Sequence, residues 1–517
     1  MKELANELLT QQWQDFNLAR SLIQQELTGV FGSETMHDLN EILALYDIYE
    51  SGARFDPEGG GDGDYIPADH RFKIIKDLID KESRFLFSVP PEITLTDAET
   101  EGDNSRIDPN QKLVKEVLEQ NHFYSKLVRA AKDCLIGRRI AILVNFNSTG
   151  IDISFVPSLE FIYETDPTDV DVLTKFIQFY SVVVNEEKSS QRIYKKKYEL
   201  NEQGYCVITE ELYDGNAQLV ETITPETVTK FKHIPAWVII NDGLTGDPFG
   251  KSDVEMLIDD ESWYSKLSSK DIDSLRKGTD QIIYAMDVNP RSTKNLSRSA
   301  GSFWDLSTDP AAEGKSGQIG QVENNMAYSG ALNTTLQRIR ASMFSLLDVP
   351  DTTSEALTGV ISSGKTMKAI YWGLIVRCGE KMLDWKPALV GMINTIIEGS
   401  MLYPEARAIY VDESPVTGYH VEVTNSYPIL EDETEEKSTD MAEIGNKVMS
   451  RKSYLKKWRG MTDDEAQAEL EQIQMEQSML EDNSMKMSYE EEPTEPEETE
   501  PEESKEPVEP EEPIEEE

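Results

Sequence analysis

The chain has 517 residues, enough for two to four domains, and its formal charge at pH 7 is −47. Residues 491–517 hold fifteen acidic residues and one lysine, so they supply −14 of that charge and leave −33 for the rest (−47 + 14). This balance excludes a protein that wraps DNA tightly through Lys and Arg, but it fits either a protein unrelated to nucleic acid or one past which DNA moves without sticking.

Metal, disulfide and membrane functions find no support in the sequence. Its three cysteines are far apart and form no CxxC pair, and its five histidines are scattered without an HExxH pattern. The first residues, MKELANELLTQQWQ, are polar, and no apolar run approaches the ~20 residues of a membrane span. We therefore expect a reduced chain with no cofactor, no metal and no membrane partner.

The first half of the chain changes from helical to strand-like patterns. Apolar residues recur at helical spacing, which predicts helices over 1–50, 70–87 and 110–137. From 138 to 245 the segments are rich in β-branched and aromatic residues and are separated by turn signals such as Asp214-Gly215-Asn216. The pattern predicts an α+β fold with a mostly antiparallel sheet.

Helical periodicity returns in the second half. We expect a helix over 251–277 and another over 329–348, separated by short strands and loops at 278–328 and followed by a polar loop at 349–364. The remaining predictions are a long helix over 365–400 with a break or kink near 386 because of Pro387, strands over 407–412 and 419–425, helices over 433–480, and disorder beyond 485.

One motif points to an enzyme. Residues 359–366 read GVISSGKT, which matches the phosphate-binding P-loop, and AIYVDE at 408–413 resembles the strand that carries a magnesium-binding Asp412. A P-loop ATPase is therefore the alternative function. The context opposes it, because a P-loop follows a buried parallel strand and the residues before Gly359 are polar. A loop whose Ser363 or Thr366 caps the next helix explains the same letters.

Two charged groups have simple explanations. Asp259, Asp260 and Glu261 are adjacent on a predicted helix, so their side chains diverge, and we expect a solvated acidic face and not a metal site. The basic residues from 276 to 315 are either solubilising loop charges or contacts to a partner or to DNA; they are Arg276, Lys277, Arg291, Lys294, Arg298 and Lys315.

The order of these parts resembles a known family. RFKIIKDLIDKESRFLFSVPPEI (71–93) looks like an early helix and turn, with Ser88 where glycine is usual, and residues 130–166 look like the following helix and hairpin. FGKSDVEMLIDDESWYSKLSSKDIDSL (249–275) looks like a stem helix, and GVISSGKTMK carries Ser363, Gly364 and Lys368 at the family's spacing. Over about residues 60–430 the chain resembles the portal proteins of long-tailed bacteriophages, of the Gp6-like type.

The resemblance implies a portal fold, with an α+β wing, a helical stem, a small clip, a kinked helix and a helical crown. It implies the following parts: wing 1–250, stem helices 251–277 and 329–348, clip 278–328, tunnel loop 349–364, kinked helix and wing strands 365–430, crown 431–484 and an acidic tail 485–517. Such subunits form a ring of about twelve at one capsid vertex of the virion, assembled in the bacterial cytoplasm. Their partners are double-stranded DNA, terminase, major capsid and scaffolding proteins, and a head–tail adaptor.

The resemblance also implies roles for individual residues without assigning any catalysis. The residues expected to face DNA in the tunnel loop are Thr352, Thr353, Ser354, Thr358, Ser362, Ser363, Lys365 and Lys368. Those expected to meet terminase or the adaptor in the clip are Arg291, Lys294, Arg298 and Lys315. Leu336, Ile339 and Met343 follow a near-heptad spacing that suits packing in the stem. A different minor head protein, such as a scaffold-linked one, is the third hypothesis.

Overall fold

The fold was obtained as a computed structural model, which divides the chain into two compact units, Met1–Leu430 and Glu431–Glu517. The residues that it describes are 19–26, 30–57, 66–99, 105–183, 191–214, 216–244, 247–279, 282–289, 307–311, 316–322, 327–351, 364–428 and 433–487.

The first unit combines helices and antiparallel sheets. Its helices are α1 (Val30–Ser51), α2 (Ile74–Phe87), α3 (Asp108–Gln120), α4 (Phe123–Gly137), α5 (Ile258–Thr279), α6 (Ser329–Leu346), α7 (Gly364–Ile370), α8 (Trp372–Leu402) and α9 (Pro404–Arg407). Residues 19–26 are also helical. The mixed helix-and-strand prediction is confirmed, and every strand pairing among the described residues is antiparallel.

Strands of this unit form four separate sheets. The strands are β1 (Glu92–Asp97), β2 (Arg139–Asn147), β3 (Gly150–Pro157), β4 (Phe161–Asp166), β5 (Asp169–Val183), β6 (Gln191–Leu200), β7 (Cys206–Tyr213), β8 (Leu219–Val228), β9 (Ala236–Ile240), β10 (Ile282–Met286), β11 (Gln318–Val322) and β12 (Tyr419–Thr424). The largest sheet has the order β4-β5-β6-β7-β8, a second has the order β3-β2-β9, and two pairs, β1-β12 and β10-β11, complete the set.

The 31-residue helix α8 lies at the centre of the main core. Its buried residues, among them Leu389, Met392 and Ile396, pack with those of α2, α4 and β2 in one hydrophobic cluster. Gly391 allows the helix to approach β9, because a Cβ at that position would stand 2.6 Å from the indole ring of Trp237. The β1–β12 pairing joins a segment from the first hundred residues to one beyond 418, so the unit is not built from consecutive pieces.

Three local predictions differ from the structure. The helix predicted over 110–137 is two helices, because His122 has a left-handed backbone (φ 49°) between α3 and α4. The break expected near 386 is wrong, since α8 continues through Pro387 and the helical run is interrupted instead at Tyr371. Pro387 and Leu383, whose carbonyl loses its donor, are both on the exposed face, where water can replace that bond.

The third difference removes one of the two sequence motifs on which the ATPase hypothesis depended. The strand predicted over 407–412 is wrong, because Pro404 starts the short helix α9 and the backbone N–H groups of Tyr410 and Val411 then donate to the carbonyl of Arg407. The AIYVDE segment that resembled a magnesium-binding strand is therefore a turn. By contrast, the strand predicted over 419–425 is confirmed as β12.

The second unit is helical over its described residues, as predicted for 433–480. It contains α10 (Glu433–Gly445), α11 (Arg451–Arg459) and α12 (Asp463–Met487). Ser450 caps α11 by accepting a hydrogen bond from the N–H of Ser453, and Gly460 ends it in the left-handed conformation. The acidic tail beyond residue 487 lies outside the described residues.

Candidate functional site

Most of the residues predicted to face DNA or the clip partners lie outside the described residues. This holds for Thr352, Thr353, Ser354, Thr358, Ser362 and Ser363, and for Arg291, Lys294, Arg298 and Lys315. Lys365 belongs to α7, although its side chain is outside the described set, and Lys368 is exposed on the same helix. These roles stay predictions, and the described site is the pair of helices α5 and α6 together with the segments that hold them.

Helices α5 and α6 pack against each other, and α6 is mostly exposed. Met343 and Phe344 are its buried residues, whereas Leu336 and Ile339 are half-buried. Arg340 bonds Asp351 through two N–H groups at 3.2 and 3.3 Å, which fixes the chain where it leaves the helix. Met343 packs in the core of its own subunit, and the role of Leu336, Ile339 and Met343 in packing between subunits stays a prediction.

A ladder of hydrogen bonds joins α5 to the strap, which we define as residues 66–73. The carboxylate of Asp273 accepts from the N–H of Ala68 at 3.0 Å, and the hydroxyl of Ser269 accepts from the N–H of His70 at 3.1 Å. Side chains four residues apart on a helix rise by about 6 Å, close to the rise of two residues of extended chain, so successive rungs stay in step.

The ladder continues towards the start of α5. The hydroxyl of Ser265 accepts from the N–H of Phe72 at 3.1 Å. Glu261, with no exposed surface, accepts from the N–H groups of Ile75 at 2.9 Å and Ala53 at 2.7 Å. The prediction of a solvated acidic face is therefore wrong for Glu261, because its carboxylate replaces water with two backbone donors. Burial raises the pKa of Glu261, and these backbone bonds oppose the rise.

A buried ion cluster joins α2, α8 and the segment before α5. Arg377 on α8 donates to Glu82 at 2.8 Å and contacts Asp253 at 3.1 Å. Lys381, one turn later, donates to Asp253 at 2.7 Å and to the side-chain oxygen of Asn241 at 2.9 Å. Both carboxylates have no exposed surface, so two cations and two anions balance in the protein interior.

The four charges of this cluster are not equally stabilised. Burial, followed by repulsion from Asp253, raises the pKa of Glu82 to about 7, although Lys381 and Arg377 oppose the rise. One oxygen of Glu82, Oε2, is buried and has no hydrogen-bond partner among the described residues. Burial alone would lower the pKa of the Lys381 ammonium, but Asp253 and Glu82 more than offset this and hold it above its ordinary value. Glu82 is therefore the least favourably placed of the four charges.

A second cluster fixes the opposite side of the same segment. Arg138 contacts Asp38 on α1 at 2.5 Å and Glu255, just before α5, at 2.5 Å. Arg139, which starts β2, contacts the other oxygen of Asp38 at 2.6 Å. Together with the ion cluster on α8, these contacts hold the start of α5 against the sheet-bearing part of the unit.

A groove lies between α2, the residues that follow α6, and the helical segment that begins with α7. Its volume is about 300 Å³, and its lining includes Phe85, Val349, Pro350, Met367 and Tyr371. Lys81 and Arg84 of α2 also line it. Described residues on both sides of the loop that was predicted to face DNA thus line an apolar groove, and basic residues lie at its edge.

The described residues give no support to nucleotide or metal chemistry. The residues at 349–351, upstream of GVISSGKT, do not form a strand, and the described strands pair only in the antiparallel sense, whereas a P-loop needs a parallel strand before it. Within the described part of the chain, no group of three or more His, Cys, Asp or Glu side chains could hold a metal ion, and no helix is long and apolar enough to cross a membrane.

Sequence reasoning missed the ladder and the ion cluster. The ladder leaves one signal, the repeat Glu261-Ser265-Ser269-Asp273, in which small or acidic polar residues recur every four positions on a helix. The ion cluster leaves none, because Glu82, Asp253 and Arg377 are far apart in sequence and each resembles a surface charge.

The comparisons with known proteins agree with the order of these parts. The family model described as phage portal protein, SPP1 Gp6-like, matches residues 71–482, which includes the last three residues of the strap, both helices of the described site and all of α8. No curated protein matches the chain significantly.

Proposed function

The chain belongs to the family of SPP1 Gp6-like phage portal proteins, and we propose that it forms a ring of about twelve subunits through which viral DNA enters and leaves the capsid. As a portal protein it is a structural head–tail connector of the bacteriophage virion. The ring, the passage of DNA and the docking of partners are the finer parts of the proposal. The family match over most of the chain is the observation that carries it.

We assign the parts of the portal as follows. The wing comprises 1–250 and 365–430, the stem comprises the regions of α5 and α6, the clip is 278–328, the tunnel loop is 349–364, and the crown is 431–484. One observation supports the wing assignment, since β1 pairs with β12 and so brings the two distant parts of the proposed wing into one sheet.

The exposure of α6 supports a ring. A helix that buries only Met343 and Phe344 gains little from its own fold, and a surface of this kind is stabilised when neighbouring copies cover it. The ladder and the two ion clusters hold α5 on the wing, so each copy would present its stem in a fixed position.

The charge of the chain supports a channel that does not bind DNA strongly. Neutralised phosphates are the source of tight, salt-dependent binding, and a chain with net charge −47 repels the duplex instead. Lys365 and Lys368, next to the tunnel loop, are our candidates for transient phosphate contacts. We propose that the subunit guides DNA passively, and that terminase supplies the energy for packaging.

The same proposal names the other partners. Terminase and later a head–tail adaptor would dock on the clip, and major capsid and scaffolding proteins would surround the wing during assembly in the host cytoplasm. The proposed clip contains the β10–β11 pair, in which Ile282–Met286 is antiparallel to Gln318–Val322.

Native mass spectrometry and negative-stain electron microscopy of the full chain test the proposal. Twelve copies of a 58.5 kDa chain give a particle of about 700 kDa with a central hole. A particle of this kind that hydrolyses no ATP is the expected result. A chain that remains monomeric over a wide range of protein and salt concentrations would refute the ring.

A further inference from the structure

Helix α8 carries an exposed apolar stripe that the described residues of its own subunit leave uncovered. We call it the outer seam and define it as Trp372, Val376, Gly379, Leu383 and Lys386, whose spacing of four, three, four and three residues is that of a coiled-coil seam. Trp372 is 66% exposed, Leu383 is 72% exposed and Val376 is 43% exposed. At 100° per residue these three side chains lie within about 40° of one another around the helix.

The outer seam is distinct from the face with which α8 packs in its own subunit. That inner face is formed by Leu374, Cys378, Trp385 and Leu389, each with at most 2% of its surface exposed. A helix with one apolar face packs against one neighbouring layer. Helix α8 has two apolar faces, and the part of its own subunit that the structure describes covers one of them. Exposed tryptophan and leucine on a common stripe are typical of a protein–protein contact.

A second seam lies on α5, with two exposed and two half-buried residues. We call it the stem seam and define it as Trp263, Leu267, Lys270 and Ser274, spaced four, three and four residues apart. Trp263 is 56% exposed, and the ammonium of Lys266 lies 5.2 Å from the centroid of its ring. The strap covers a different side of α5, because Ser265 and Ser269 lie about 160° and about 120° away from Trp263 around the helix.

The two seams are complementary in size, and Glu380 beside the outer seam is opposite in charge to Lys266 and Lys270. The outer seam offers a gap at Gly379, where the nearest atom to an added Cβ would be 3.9 Å away, and the stem seam offers the large ring of Trp263. The exposed acidic residue Glu380 lies beside the outer seam. Lys266 lies beside the stem seam, and Lys270 belongs to it. Apolar residues along a seam with opposite charges beside it are the pattern by which coiled-coil helices choose a partner.

We propose that the outer seam on α8 of one subunit packs against the stem seam on α5 of the next subunit in the ring. The inference rests on the proposed function, because a closed ring requires every copy to present two different surfaces that fit each other. Two unlike seams on one chain meet that requirement, whereas a single self-complementary patch would give a dimer.

A photo-crosslinking experiment on the full chain tests the contact directly. A benzophenone amino acid replaces Leu383, and rings are assembled from a mixture of isotopically heavy and light subunits. We expect crosslinked peptides that join position 383 to residues 258–276 and that contain one heavy and one light partner. The same probe at Glu226, an exposed residue on β8, is the control and should not capture α5.

A charge-reversal cycle tests the same contact by assembly. Glu380→Lys should lower the fraction of ring about fivefold at a fixed protein concentration, since it places like charges at every interface. Adding Lys266→Glu and Lys270→Glu in the same chain should restore the ring. Glu405→Lys, an exposed reversal on α9, serves as the matched control and should leave assembly unchanged.

The outcomes separate the inference from the proposed function. Rings that form normally but crosslink position 383 to another segment, or to the same subunit, overturn the pairing of the seams and leave the portal proposal intact. Rings that are indifferent to Glu380→Lys overturn it as well. If the wild-type chain forms no ring under any condition, the proposed function fails and the inference fails with it.

Discussion

Replacing Lys381 by methionine removes one of the two cations from the buried ion cluster. Its ammonium lies 2.7 Å from Asp253, 2.9 Å from Asn241 and 3.7 Å from Glu82, and the residue is 8% exposed. Methionine has a similar length, so the volume is preserved while the charge is lost. The two carboxylates then share Arg377 alone, and one negative charge is left without compensation in the interior.

The expected cost follows from that uncompensated charge. Removing one partner of a buried ion pair destabilises a protein by about 3–5 kcal/mol. Lys112→Met, on the exposed side of α3, should change the free energy of unfolding by less than about 0.5 kcal/mol. The difference between these two lysine-to-methionine variants separates the effect of the cluster from any effect of methionine on helix stability.

Urea unfolding followed by tryptophan fluorescence measures this difference, with Trp385 buried in the same core. The protein concentration is held constant, because assembly would otherwise shift the midpoint. A loss below about 1 kcal/mol for Lys381→Met would refute the reasoning, since it would mean that the cluster contributes no more than a surface ion pair.

The pH dependence gives an independent check on the same cluster. The pKa of Glu82 is raised to about 7 in the folded chain from an ordinary value of 4.5, so the folded state binds a proton more tightly than the unfolded state. This contribution is fully present below about pH 4.5 and is lost as the pH rises through about 7. Glu82→Gln, which cannot ionise, should therefore flatten the decline in stability over that range; an unchanged slope would contradict the assignment.

Three further predictions concern the ladder, the core of α8 and the false P-loop. Ser269→Ala removes one rung, so hydrogen exchange at the amide of His70 should become faster, with a loss of about 1 kcal/mol in local stability. Gly391→Ala should destabilise the unit by about 1–3 kcal/mol in thermal unfolding because its Cβ meets β9, whereas Gly330→Ala, with open space around it, should not. Lys365→Ala should leave ring formation intact and abolish no ATP hydrolysis, and a loss of measurable hydrolysis in a nucleotide assay would revive the ATPase hypothesis.

Local periodicity was sufficient for most elements of the fold. The apolar spacing predicted α2, α6 and the helices of the second unit, and the β-branched segments predicted β2, β3, β5, β6 and β7. The apolar spacing did not predict that the helix over 110–137 divides at Asn121–His122. Neither proline nor glycine marks the turn there, and the backbone departs from the helix through the left-handed conformation of His122. It also assigned a strand to 407–412, because β-branched and aromatic residues there resemble a strand while Pro404 starts a helix.

The features of the site that could not be predicted from the sequence depend on contacts between distant segments. The sequence predicted a surface carboxylate at Glu261 because its neighbours Asp259 and Asp260 are acidic too. Glu261 is a buried acceptor because the backbone N–H groups of residues 53 and 75 donate to it. The strap donates its backbone N–H groups, which every residue except proline carries, so its own side chains reveal nothing of the contact.

The ion cluster and the ladder together constrain how one subunit can change shape. Arg377 and Lys381 bind α8 to Asp253 shortly before α5, and Ser269 and Asp273 bind α5 to the strap about three to four turns after the helix begins. Separating α8 from the start of α5 would leave buried charges unpaired or expose them, at a free-energy cost of several kcal/mol. Breaking one hydrogen bond of the ladder costs about 1 kcal/mol. The start of α5 and the first half of α8 therefore move as one body, and the far end of α5 is the part that yields first.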